Sequence, residues 1–197
     1  MRKELCINED WQFQYHDNTI LPVNLPHTWN NLDGQDGGND YWRGTCIYRK
    51  NFPLPAFGAE DCVYLDFAGV NASATVTLNG TQVCTHDGGY STFRCEITQL
   101  LKEINQLEVA VDNSKNDRVY PQKADFTFYG GIYRDVKLII VPKAHFDLDY
   151  LGSCGIRVTA TPDGDKATVR VADIIIQSQT DGTTRTARLG TPVWRKI

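Results

Sequence analysis

Six cysteines, four histidines and one acidic, glycine-rich run are the residues of this chain whose types could support metal, redox or nucleophilic chemistry. Cys6, Cys46, Cys62, Cys84, Cys95 and Cys154 form no C-x-x-C pair, which excludes zinc held by Cys pairs. Cys62 and Cys84 fall within expected strands, where a reduced cysteine packs as a small apolar residue, and all six are expected to be free thiols. His16, His27, His86 and His145 are far apart and build no H-x-x-x-H pattern, so each reads as structural. The run Asp33-Gly34-Gln35-Asp36-Gly37-Gly38-Asn39-Asp40 resembles a calcium loop in composition, but Gln35 and Gly37 break the order of ligands, leaving a surface loop. Neither a dinucleotide fingerprint nor a phosphate-binding lysine loop occurs, so no cofactor and no metal are expected. Asn71-Ala72-Ser73 and Asn79-Gly80-Thr81 match the glycosylation triplet, a pattern too common by chance to carry weight.

A different chemistry is suggested by aromatic residues. Trp29, Tyr41, Trp42, Tyr90, Phe93, Phe126, Phe128 and Tyr129 all lie in or beside expected loops, where they either stack on sugar rings or plug the end of a sandwich. Periodicity does not choose between the two.

The elements that must position them are strands. Ala74, Val76 and Leu78 alternate with Thr75 and Thr77, then Asn79-Gly80 leads into Thr81 to Thr85, a hairpin with a two-residue type I′ turn. Ile47 to Phe52, Val63 to Phe67, Leu107 to Val111 and Val136 to Val141 follow the same rule. Thr98 to Ile104 is the one helical candidate, a short connector with Thr98 as its cap. Many short strands and almost no helix predict an all-β protein, a jelly-roll β-sandwich over residues 1–143. After Pro142 the pattern restarts with Phe146 to Leu151, Ile156 to Ala160 and Ala167 to Gln177, the opening of an incomplete immunoglobulin-like β-sandwich over residues 144–197. Its tail, 185–197, shows no alternation and is expected to be disordered. Open sheet edges there invite pairing with a second copy of the chain.

Charge excludes some partners. Twenty basic against 24 acidic residues give a net charge of -4 over 197 residues, without the basic footprint nucleic acid requires. The longest apolar runs are far below the roughly 20 residues of a membrane helix. Met1 to Phe13 has no apolar core of a signal peptide, which reads as cytoplasmic.

Six blocks occur in order: Leu25-Pro26-His27-Thr28-Trp29, Tyr48-Arg49-Lys50-Asn51-Phe52, Phe67-Ala68-Gly69-Val70, Val76-Thr77-Leu78-Asn79-Gly80, His86-Asp87-Gly88-Gly89-Tyr90 and Gly130-Gly131-Ile132-Tyr133-Arg134-Asp135-Val136. Over residues 22 to 141 they resemble the amino-terminal region of family-two glycoside hydrolases, the β-galactosidase and β-glucuronidase group. The resemblance continues more loosely from Ala144 to about Gln179. It implies a sugar-binding jelly roll, then an immunoglobulin-like sandwich, then a barrel carrying the two carboxylates that retaining glycosidases hold about 5 Å apart. No barrel motif is present, so no catalytic residue is expected in this chain and the barrel of the parent polypeptide is its implied partner. By resemblance, Asp125, shortly before the Gly130-Gly131 block, reaches toward the carbohydrate substrate and Asn39 is a further substrate-binding candidate, while Trp42 is a candidate as one of the loop aromatics on which a sugar could stack. The implied parent is a retaining β-galactosidase, with β-glucuronidase next. Two readings from other classes stand beside it: a lectin-like module that binds sugar alone, and a structural or assembly domain.

Overall fold

The computed structural model describes residues 1–31, 41–121, 127–148, 153, 155–173, 175–178, 184–187 and 193–196. Two antiparallel sheets face each other. The first has the order β1 (Lys3–Cys6), β10 (Val136–Pro142), β5 (Asp61–Phe67), β8 (Phe93–Glu96). The second has the order β3 (Ile20–Val23), β2 (Trp11–Gln14), β4 (Thr45–Pro53), β9 (Ile104–Asp112), β6 (Ser73–Leu78), β7 (Thr81–Asp87).

Alternation builds the core between them. Phe13, Tyr48, Val76 and Val109 point inward from the six-stranded sheet and meet Leu65, Phe67, Ile97 and Leu138 from the other side. Each of these is at most 3% exposed, so one apolar layer holds the two sheets together. The hairpin joining β6 and β7 turns at Asn79 and Gly80, whose φ angles of 53° and 83° are those of a type I′ turn.

The outer face of the four-stranded sheet is covered as well. Cys62 and Tyr64 on β5, with Ile139 and Val141 on β10, form a second cluster with Leu148, which follows β11 (Ala144–Phe146). His145 Nδ1 donates to the Pro142 carbonyl at 2.8 Å, so its Nε2 accepts from the Tyr64 hydroxyl at 3.3 Å. Arg94 forms a buried ion pair with Asp66 at 2.5 Å and donates to the Leu148 and Ser153 carbonyls. The chain beyond Val141 is thereby fastened to the back of the sandwich.

From there the strands make two small sheets. β11 pairs with β14 (Ile175–Ser178) and β14 with β15 (Thr184–Ala187), while β12 (Ile156–Asp163) pairs with β13 (Lys166–Asp173) and β13 with β16 (Val193–Lys196). They lie in the stretch expected to open the immunoglobulin-like unit.

Several expectations are corrected. Cys84 and Cys95 are joined in a disulfide rather than free. Cys84 reads locally as an ordinary strand residue and Cys95 lies outside the expected strands, but β7 and β8 are edge strands of opposite sheets, and the two Cα atoms lie 6.1 Å apart, within bridging distance. Cys6 and Cys46 are free, and Cys154 lies outside the described residues. The helical candidate is one 3-10 turn, Thr98–Leu100, because Leu101 is already extended and Ile104 begins β9. Thr98 does not cap it; its hydroxyl oxygen accepts from the Val63 amide at 2.9 Å and completes the edge of β5. β15 overlaps and β16 lies in the stretch 185–197, where local alternation is absent, and each is paired through β14 or β13.

Candidate functional site

The chemistry-bearing loops gather at one end of the sandwich. Their centre is Gly130-Gly131. A side chain on Gly130 would run into the Trp29 ring, and one on Gly131, where φ is +138°, would run into the His27 carbonyl. Only glycines let this segment press against the 27–29 loop.

Three asparagines hold that loop in place. Asn30, fully buried, accepts from the Gly130 amide at 2.8 Å and donates to the Trp42 carbonyl at 2.8 Å. Asn113 donates to Asn30 Oδ1 at 3.0 Å and to the Phe128 carbonyl at 3.1 Å, while accepting from the Gly44 amide. Asn71 donates to the Tyr129 carbonyl at 2.7 Å, and its backbone exchanges two hydrogen bonds with Gly131. Carboxamides suit this task because each carries both donors and acceptors and no charge that burial would penalise. In the sequence they look like ordinary loop residues and are not among the expected site residues. The one signal that marks them is an asparagine in each loop flanking the glycine pair.

Around this brace lie the aromatics. Tyr90, Tyr129 and Tyr133, with Thr127 and Asn71, line a cleft of about 230 Å³. Tyr90 is 50% and Tyr129 37% exposed, so their rings are open to a ligand. The Tyr133 hydroxyl donates to the Gly89 carbonyl, which ties the cleft wall to the His86–Tyr90 turn, and burial pushes the Tyr133 phenol above its usual pKa. The Arg43 guanidinium lies over the rings of Tyr41 and Phe128, at 4.6 and 5.1 Å from their centroids, two cation–π contacts beside the brace.

The loop aromatics therefore divide. Trp29 and Phe93 belong to the core, both 8% exposed, whereas Tyr90 and Tyr129 face solvent. Among the described residues the buried Trp29 Nε1 has no acceptor. Trp42, expected to bind substrate, is half-buried against the core, its ring stacked on His16 at 4.3 Å and folded over Gly44. Asp125 and Asn39 lie outside the described residues, as do Phe126 and the run from Asp33 to Asp40. The described chain resumes at Thr127, which lines the tyrosine cleft.

Beneath this end sits a polar pair. His27 shares a 2.7 Å hydrogen bond with the fully buried Tyr48 hydroxyl. Burial holds the imidazole below its usual pKa and the phenol well above its own, so both are neutral. Among the described residues no group of three His, Cys, Asp or Glu side chains could hold a metal ion, and no helix is long and apolar enough to cross a membrane.

A jelly-roll β-sandwich whose loop end is braced around a glycine pair defines a galactose-binding-like module, and comparison with known proteins places it. Residues 28–150 match the family described as glycosyl hydrolase 2 galactose-binding domain-like, more than half of the chain, and the chain belongs to that family. It is 37% identical over 155 residues to a β-glucuronidase of Bacteroides fragilis, an alignment covering 76% of this chain and 22% of that protein. With a β-galactosidase of Thermoanaerobacterium thermosulfurigenes it is 32% identical over 153 residues, covering 70% of this chain and 21% of that one. Among solved structures, the FMN-binding β-glucuronidase of Facaelibacterium prausnitzii L2-6 superposes with a TM-score of 0.86 at 36% identity, over all of this chain and 34% of the other. The chain thus spans about a fifth of the length of those curated relatives.

Proposed function

We propose that this chain is the amino-terminal, substrate-facing part of a retaining family-two β-glycosidase, whose loop end closes over a catalytic barrel supplied elsewhere in the parent polypeptide. The observation that carries this reading is the Asn30–Asn71–Asn113 brace. It spends three buried or loop-end carboxamides on fixing the backbone of residues 128–131, shortly after Asp125, rather than on stabilising the core. Rigid backbone beside a substrate-contacting carboxylate is what positioning requires. The acid and the nucleophile belong to the barrel, so the 197-residue chain alone hydrolyses nothing.

Two sugars compete as substrate. A galactoside is the expectation from Asp125. Two β-glucuronidase relatives are 37% and 41% identical to this chain, above the 32%, 31% and 29% of the β-galactosidases, although three further β-glucuronidases stand at 30%, 29% and 27%; the two higher identities favour a glucuronide as the first substrate to test. Chromogenic β-glucuronide and β-galactoside assays on the parent polypeptide separate the two. Asp125→Asn in that polypeptide is expected to lower kcat/KM with no change in melting temperature. Turnover of neither sugar, or an unchanged kcat/KM in the variant, overturns the reading.

A further inference from the structure

On the solvent side of the six-stranded sheet, the register of four strands lines up a row of polar side chains. Gln12 on β2 lies opposite Arg49 on β4, Arg49 opposite Glu108 on β9, and Glu108 opposite Thr77 on β6. A second, shorter row pairs Asn51 with Gln106. Together with Gly80 the two rows line a cleft of about 400 Å³, within the range of small-molecule sites. Strands in a sheet are about 4.8 Å apart, so the long row presents a polar group at each step across roughly 14 Å. A step of that length is comparable with one pyranose unit of an extended chain.

The chemistry of the rows selects the ligand. Arg49 donates to Glu108 at 2.7 Å and to Gln14 at 2.5 Å, so the only two charges of the rows cancel each other. What remains is the carboxamides of Gln12, Asn51 and Gln106 and the hydroxyl of Thr77, none of which makes a side-chain hydrogen bond among the described residues. Carboxamides offer donors and acceptors side by side, the pairing that vicinal sugar hydroxyls return. A phosphate polymer finds no net positive charge here, and an apolar segment finds no apolar floor. Next to the long row, Gln14, Ile47, Ala110 and Thr75 line up in the same register and give a sugar ring a low, partly apolar shoulder.

We infer that this sheet face is a second carbohydrate site, which holds a neutral, extended oligosaccharide across the strands by hydrogen bonding. It does not depend on the glycosidase reading, because it requires binding and not hydrolysis. Calorimetric titration of the 197-residue chain with cellohexaose tests it, with oligogalacturonate of the same length as the charged control. Cellohexaose is expected to bind one molecule per chain, and the triple variant Gln12→Ala/Asn51→Ala/Gln106→Ala to bind about tenfold more weakly or not at all, equivalent to about 1.4 kcal/mol or more. The three positions are exposed, so the variant's melting temperature reports that the fold is intact. The inference is overturned by absent heat at millimolar cellohexaose or by equal affinity for oligogalacturonate. It is equally overturned by binding that survives the triple variant but is lost in Tyr129→Ala, which would place the sugar at the loop end. A concentration-dependent dimer that the triple variant dissolves would make a second copy the occupant, and would overturn it too.

Discussion

The two sheets of this sandwich share a core but differ in what their backs face. β5 and β10 are buried on both sides, because Leu148 packs with Cys62, Tyr64, Ile139 and Val141 and His145 packs on Tyr64. β4 and β9 are buried on one side, and their outward positions carry Arg49, Asn51, Gln106 and Glu108. The difference teaches that the back of a strand records its neighbour. An apolar back, as in Val136-Lys137-Leu138-Ile139-Ile140-Val141, belongs against protein, and an amide-rich back belongs against water or a hydroxyl-bearing ligand.

Breaking the covered back gives the largest effect. Arg94→Ala leaves Asp66 buried without its partner and is expected to cost about 3–5 kcal/mol in denaturant titration. Arg94→Met combined with Asp66→Leu should recover most of that, and whatever is not recovered measures the donors lost to the Leu148 and Ser153 carbonyls.

Leu148→Ala comes next, at the lower end of the ~2–5 kcal/mol range for buried leucines, since the covering segment can settle into the space. Thiol chemistry sharpens the same comparison. In a Cys154→Ser background, Ellman's reagent should find one reactive thiol in the native protein, the exposed Cys6. Leu148→Ala should add Cys62, on the uncovered back of β5, and not Cys46, which lies between the sheets with its thiol pushed up to about 12 by burial. Equal protection of Cys62 and Cys46 in that variant would show that Leu148 does not cover the sheet.

A smaller effect lies between the sheets. The pKa of His27 in the fold is below the ordinary 6.5, so the unfolded chain takes up that proton first. The associated stability is present above about pH 6.5 and is lost as the pH falls below it. His27→Gln is expected to make the acid side of a stability-against-pH curve shallower, and an unchanged slope would exclude His27 as a source of acid sensitivity. The smallest effect belongs to the open back. Gln12→Ala and Gln106→Ala should each change stability by less than about 0.5 kcal/mol, and a larger loss would mean that this face is covered after all.

Much of this division is legible in the order of the amino acids alone. The unbroken apolar run at Leu138 to Val141 marks a doubly buried strand, and alternation through Leu107, Val109 and Val111 marks a singly buried one. The Asn79-Gly80 turn is equally plain, because its backbone requirement is local. β1, β2, β3 and β8 are not legible in this way. Each has four residues, too few for a periodic signal, and is fixed by the strand it pairs with. The loop end is legible only in part: Gly130-Gly131 stands out, whereas Asn30 and Asn113 become functional through partners 100 and 83 residues away in sequence. The Cys84–Cys95 bridge is hidden for the same reason, since it depends on two edges meeting in space.

That bridge gives the sandwich a bound spine. β7 and β8 end their respective sheets on one side and are joined covalently, while β3 and β1 end them on the other side without a disulfide among the described residues. Breathing motions must then open the molecule at the fore-edge, as a book opens. Solvent reaches the interior first past β1 and β3, whose amide hydrogens exchange ahead of those near the spine.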